Sequence, residues 1–177
     1  YGNALNDKSI LMYIGAKTGK DGIGGAAMAS QSFGASVDHL KENIQIGDPF
    51  LERLLLEACC ELSKEKLIEG MQDMGAGGVL CASLELIKRG RDKTGKNLGC
   101  DLFIDKIPTK TGMDDCDILI SESQERMLLV CLPNNMMRIK SILTKWDLES
   151  SDIGYVTNHG RYDVYPKTTD TNRILSK

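Results

Sequence analysis

Apolar positions along the chain fall into a few clear patterns. From Phe50 they recur at Leu51, Leu54, Leu55, Ala58, Cys59 and Leu62, while Glu52, Arg53, Glu57, Glu61 and Lys64 fall largely on the other side. That spacing predicts an amphipathic helix. Asp48-Pro49 marks its start, with Asp as N-cap and Pro at the first helical position. A second helix is predicted from about Gly78 to Arg89, stopping at Gly90. A third is predicted after Asn134 as its cap, with Met136, Met137, Ile139, Ile142, Leu143 and Trp146 as the apolar face. Short apolar runs at Ser9–Gly15, Lys66–Gln72, Cys100–Ile104 and Glu125–Leu132 read as strands, the last closed by Pro133. Ser151–Thr157 and Arg161–Tyr165 read as a hairpin around Asn158-His159-Gly160. Ala26–Gln31 reads as a short helix, Ser32–Asn43 as an exposed loop, Arg91–Gly99 as a charged loop, and Pro108–Asp117 as a polar connector. The expected domain is residues 1–167, with a polar tail or linker over 168–177. Strands alternating with helices predict an α/β fold: a layered mixed sheet with a ferredoxin-like βαββαβ core.

Composition narrows the function classes. With 177 residues the chain is long enough for one domain with a real core. A net charge of −3 and only 5% aromatic residues argue against nucleic-acid binding, which needs a basic face and stacking platforms. No apolar run approaches the ~20 residues of a membrane span, and the N-terminus lacks a signal-like segment. The expected location is cytoplasmic. The chain starts at Tyr1 and lacks an initiator Met, which suits an excised fragment or a processed protein. None of the six cysteines forms a C-x-x-C pair, so a zinc site is not expected, and Cys59, Cys81 and Cys131 read as reduced core thiols.

The block Met71-Gln72-Asp73-Met74-Gly75-Ala76-Gly77-Gly78 runs from a strand through a glycine-rich bend into a helix. Such bends aim backbone N–H groups and a positive helix end at an anion. Asp73 at its mouth would repel an anion unless a cation lies between, which points to a phosphate-bearing ligand with Mg²⁺. A tight packing turn with a solvated acid is the alternative. Gly15-Ala-Lys-Thr-Gly-Lys-Asp-Gly-Ile-Gly-Gly25 is one residue short of a P-loop, and its dinucleotide-like Gly22-x-Gly24-x-x-Ala27 lacks the acidic strand end that should follow. Lys17, Thr18 and Gly19 remain a candidate phosphate loop beside the reading of a structural turn. Ser121-Glu-Ser-Gln-Glu-Arg126 interrupts an apolar run and would lie at a sheet end, where α/β ligand sites concentrate. The alternative is an exposed turn with an Arg126–Glu salt link. Gln45 offers an amide just before the capped helix. Asp114, Asp115 and Asp117 lack EF-hand spacing and read as a solvated turn. His39 and His159 show no nucleophilic triad spacing and read as surface residues.

Taken together, Gly15–Gly25, Gln45-Ile-Gly-Asp-Pro-Phe50, Gln72–Gly78 and Ser121–Arg126 resemble the synthetase subunit of the phosphoribosylformylglycinamidine synthases of purine biosynthesis. The blocks occur in that family's order and span about Ser9 to Tyr165. The resemblance is to the C-terminal partner domain of the first of two tandem halves, a domain like the C-terminal domain of aminoimidazole ribonucleotide synthetase. It implies Asp73 as a Mg²⁺ ligand, and Gln45, Glu122, Ser123 and Gln124 as contacts to formylglycinamide ribonucleotide. It implies ATP as co-substrate, a glutaminase partner supplying ammonia, and a missing N-terminal synthetase domain and second half. The family's catalytic His belongs to that missing domain, so neither His39 nor His159 inherits the role. The isolated fragment is expected to fold without turning over. The alternatives are another ATP-using enzyme of the same superfamily, such as a selenophosphate synthetase or thiamine-phosphate kinase relative, and a non-catalytic ligand-binding or interaction module.

Overall fold

The computed structural model describes residues 4–23 and 46–167. The helix expected over Ala26–Gln31, the loop over Ser32–Asn43, Gln45, His39 and the tail from Thr168 lie outside those residues. Six strands form one sheet: β1 (Ile10–Gly15), β2 (Ile68–Asp73), β3 (Gly99–Phe103), β4 (Arg126–Cys131), β5 (Ser150–Thr157) and β6 (Tyr162–Tyr165). Among the described residues four α-helices accompany them: α1 (Pro49–Lys64), α2 (Gly78–Thr94), α3 (Asp115–Ile120) and α4 (Met136–Lys145). The strand order is β2-β4-β1-β5-β3-β6, antiparallel except for the parallel β3–β6 pair.

The expected βαββαβ core is present. β1-α1-β2 and β4-α4-β5 interleave as β2-β4-β1-β5, and α2-β3-α3 is inserted between β2 and β4. β1 is apolar throughout because both of its faces are covered. Leu11 and Tyr13 join Leu128 and Val130 under Val79, Ala82 and Leu86 of α2. Ile10, Met12 and Ile14 join Leu129 and Cys131 under Leu55, Ala58 and Leu62 of α1 and Ile139, Ile142 and Leu143 of α4. Asp48 caps α1 as its sequence predicts, its carboxylate accepting the N–H groups of Phe50 and Leu51 at 3.1 Å each.

Several elements differ from expectation. α2 does not stop at Gly90 but continues to Thr94, ending at Gly95 in the left-handed region (φ 67°). Gly90 is a packing position. A Cβ there would come within 1.8 Å of the Ala4 carbonyl oxygen, on the segment whose Ala4 N–H bonds Leu86 O at 3.0 Å. Part of the polar connector is α3, with Asp114 as its N-cap accepting Asp117 N–H at 2.7 Å. Asn134 does not cap α4: it lies in a 3₁₀ turn, and Asn135 instead donates its amide to Leu67 O at 2.8 Å. β5 and β6 do not form a hairpin, because β3 lies between them and pairs with both. All six cysteines are free, with Cys59, Cys100 and Cys131 buried and Cys60 and Cys116 exposed.

Candidate functional site

The ends of three neighbouring strands meet at one edge of the sheet. Gly15, the last residue of β1, is opposite Arg126, the first of β4, and Asp73, the last of β2, is opposite Met127. The predicted loops therefore converge: Ala16–Ile23 after β1, Met74–Gly77 after β2, and Ser121–Glu125 before β4. The start of α1 lies beside them.

Two hollows open here. A groove of about 470 Å³ runs between α1 and the β2–β4 edge, lined on its polar side by Glu52, Asp73, Gln124 and Glu125. A second hollow of about 440 Å³ lies between the β1 loop and the start of α1, and includes Lys17, Asp21, Lys110 and Ser123. Gln124 and Glu125 line both.

Arg126 ties the loops together. Only 3% exposed, its guanidinium donates to Ser123 O at 2.6 Å, Thr18 Oγ1 at 3.0 Å, Met74 O at 2.9 Å and Ser121 O. Burial pulls its pKa down, opposed by the nearby Tyr13, Asp21 and Glu122. Tyr13 shares Thr18 Oγ1 at 3.0 Å, and burial raises its phenol pKa. The reading of an exposed turn with an Arg126–Glu salt link is thus corrected. Ser121, Glu122, Ser123 and Arg126 are buried, and these guanidinium bonds go to backbone carbonyls and a hydroxyl.

The glycine bend is occupied from within. Gly77 N–H donates to Glu122 Oε1 at 3.3 Å and Gly78 N–H to Gly75 O at 2.8 Å. A carboxylate of the chain itself therefore sits at the positive start of α2. Gly77 and Gly78 both have positive φ, and a Cβ on Gly78 would lie 2.5 Å from Ser121 O. The glycines let the bend and the Ser121 loop approach each other. The bend leaves Asp73 exposed at the groove, where Gln72 Nε2 donates to one carboxylate oxygen at 3.0 Å.

The other predicted residues divide into engaged and open groups. Thr18 is buried and its hydroxyl engaged, and Gly19 N–H donates to Ser123 Oγ at 2.9 Å. Ser123 also bonds Gly19 O and Asp21 O, at 3.2 Å each. Lys17 is exposed, and Gln124 is half-buried with its amide donating to Glu122 O at 3.0 Å. Gln45 lies outside the described residues. The sequence reading missed Glu125, Glu52 and Lys110. Lys110 is brought in by the Thr18–Thr109 bridge and pairs with Asp21 at 3.1 Å.

His159 is remote from this edge. Its Nε2 lies 3.4 Å from Asp101 Oδ1 and 3.7 Å from Asp163 Oδ2, while its Nδ1 accepts Arg161 N–H. An imidazole accepting at Nδ1 keeps its proton on Nε2, the nitrogen facing the carboxylates. The contact to Asp101 is not a hydrogen bond, because Asp101 Oδ1 is buried without a hydrogen-bond partner among the described residues.

Comparison with known proteins agrees with the fold. The chain is 48% identical over 165 residues to the phosphoribosylformylglycinamidine synthase subunit PurL of Anaeromyxobacter dehalogenans, covering 93% of this chain and 21% of that protein. It thus spans about a fifth of the length of the curated relatives it matches. A solved structure described as Thermotoga maritima PurL complexed with FGAR superposes with a TM-score of 0.84 at 38% identity, over 98% of this chain and 27% of that one. E. coli HypE, a hydrogenase maturation protein, shares the fold alone, with a TM-score of 0.65 at 13% identity over 100% of this chain and 51% of that one. The model of the AIR synthase related protein, C-terminal domain, matches residues 9–167, and the chain belongs to that family.

Proposed function

We propose that this chain is part of a phosphoribosylformylglycinamidine synthase, the ATP-dependent ligase that converts formylglycinamide ribonucleotide to its amidine in purine biosynthesis. The observation that carries the reading is the likeness, across nearly the whole chain, to a PurL structure holding FGAR. It is supported by the hollows at the sheet edge, whose sizes suit parts of a nucleotide-sized ligand.

In the proposed reaction ATP phosphorylates the amide oxygen of the substrate, and ammonia from a glutaminase partner displaces the phosphate. The chain's own part is to bind and orient. Gln124 presents a side-chain amide that matches the donor and acceptor of an amide, and Gln45 would add a second. Glu122 and Ser123 hold the bend and the β1 loop in place around the substrate. Lys17 is the open cation of the phosphate loop, while Thr18 and Gly19 fix its shape. The donor set beside the groove fits Mg²⁺: Asp73 is an exposed carboxylate with one oxygen accepting from Gln72, and Glu52 lines the same groove. Bound by Asp73, Mg²⁺ would supply charge neutralisation for the phosphates.

The catalytic His, the main ATP-binding elements, the N-terminal synthetase domain and the second half lie in other parts of the proposed enzyme, a cytoplasmic one. The test is ATP- and ammonia-dependent amidine formation by the full-length protein carrying this chain, measured beside the chain alone. Turnover by the first and none by the second is expected. A full-length protein that leaves formylglycinamide ribonucleotide unchanged under those conditions would refute the proposal.

A further inference from the structure

Glu125 stands out at this edge by its backbone conformation, its position between the two hollows and its unengaged carboxylate. Its backbone is left-handed, with φ 53°. L-residues other than Gly, Asn and Asp rarely adopt that conformation, and a Glu side chain cannot reach its own backbone to ease it. The surroundings enforce it. Glu125 O accepts Ala16 N–H at 2.9 Å, and the neighbouring Gly15, at φ 104°, fits only because it lacks a Cβ, which would lie 2.1 Å from that oxygen. Glycine would satisfy such a turn at lower cost.

The side chain is half-buried, and among the described residues no hydrogen bond or ion pair engages its carboxylate. Arg126, its immediate neighbour, is fully committed to backbone and hydroxyl oxygens. Only Glu125 and Gln124 line both hollows. One carboxylate oxygen faces the start of α1, 3.6 Å from where a Cβ on Gly47 would stand. Strain held at a residue with an unused, partly desolvated acceptor between two cavities is the arrangement expected of a ligand contact.

We propose that Glu125 is a further substrate-contact residue, a hydrogen-bond acceptor for an N–H or O–H group of a ligand spanning both hollows. The inference rests on the proposed synthase reading and deepens it, because the ribonucleotide carries both kinds of donor. Glu125→Gly removes the carboxylate and also relieves the backbone, so a site role and a structural role predict opposite results. In the full-length protein we expect Glu125→Gly to raise KM for formylglycinamide ribonucleotide at least tenfold. KM for ATP should stay within twofold, and the thermal midpoint should be unchanged or higher. Glu125→Gln, which keeps the size and removes the charge, should show the same KM split. A wild-type protein that turns over the ribonucleotide while both variants keep its KM within twofold overturns this inference alone. A wild-type protein with no such turnover overturns the synthase reading and this inference together. A fall in thermal midpoint for Glu125→Gly with KM unchanged assigns the residue to the fold and also overturns it.

Discussion

Replacing Arg126 with methionine should destabilise the domain more than any exposed charge change. The guanidinium is 3% exposed and bonds four acceptors on three loops: Thr18, Met74, and the Ser121 and Ser123 carbonyls. Hydrogen bonds to a charged donor contribute about 1.5–3 kcal/mol each when made. Against them stands the desolvation of a buried cation, several kcal/mol, which also pulls the Arg126 pKa down. Methionine fills similar volume and removes that cost, but leaves buried carbonyls without a donor. Removing one partner from a buried charged network typically costs about 3–5 kcal/mol. For a domain of this size that corresponds to a fall in Tm of about 6–20 °C. Urea or thermal unfolding of the chain, followed by circular dichroism, measures it. Arg126→Lys should recover only part of the loss, since one ammonium cannot match the planar fork that serves several directions at once. An Arg126→Met variant within about 1 kcal/mol of the parent would refute the reasoning, because the four bonds would then be no better than their desolvation cost.

Three further outcomes are expected. Asp73→Asn, at an exposed side chain, should leave the unfolding midpoint within about 0.5 kcal/mol of the parent, while the Mg²⁺ concentration for half-maximal activity of the full-length protein rises at least about tenfold; an unchanged Mg²⁺ titration removes Asp73 as a ligand. Gly90→Ala should destabilise by about 1–3 kcal/mol despite the better helix propensity of alanine, because its Cβ would strike the Ala4 carbonyl at 1.8 Å; a stabilised variant would show that the Ala4 segment yields freely. Burial pushes the Cys59 thiol up to about 11 and Cys131 up to about 12, so alkylation of the native chain near pH 8 should reach Cys60 and Cys116 first, read by mass spectrometry. A thiol raised on folding favours the native state below its unfolded pKa, and that contribution is lost as pH rises from about 9 toward 11, by about 1–3 kcal/mol for Cys59; Cys59→Ala should flatten the decline.

What the sequence revealed about the fold followed how local each signal is. α1 was legible because its cap, its proline and its apolar stripe all lie within one segment. β1 was legible as a buried strand because burial on both faces leaves no polar position. The β5–β6 hairpin was misread although its turn is real. The strand that enters between them, β3, comes from about sixty residues earlier in the chain and leaves no mark near Asn158-His159-Gly160. Gly90 was misread for the same reason: a glycine at a helix end and a glycine making room for a distant backbone look alike until Ala4 is placed beside it.

The site shows the same division at finer scale. The block Ser121–Arg126 stands out as polar residues within an apolar run, and it does lie at the sheet edge. Polarity alone does not say which of its side chains face a ligand. The fold answers by bonding. Arg126 is consumed by carbonyls, which every residue carries and no sequence pattern marks. Ser121 and Ser123 are consumed by Gly19 and Asp21, and Glu122 accepts the Gly77 N–H. The polar side chains lining the hollows include those of Asp73, Gln124, Glu125 and Lys17, with Glu52 and Lys110 beside them. Three of these were readable as candidates. Glu125 was not, because its distinguishing features are a backbone angle and an unused acceptor, and both arise only when β1 and β4 pair and bring Gly15 against it. A buried polar frame with a few unbonded groups at its mouth is the arrangement that lets a marginally stable domain hold chemistry in fixed positions, since ordering those groups is done at folding rather than at binding.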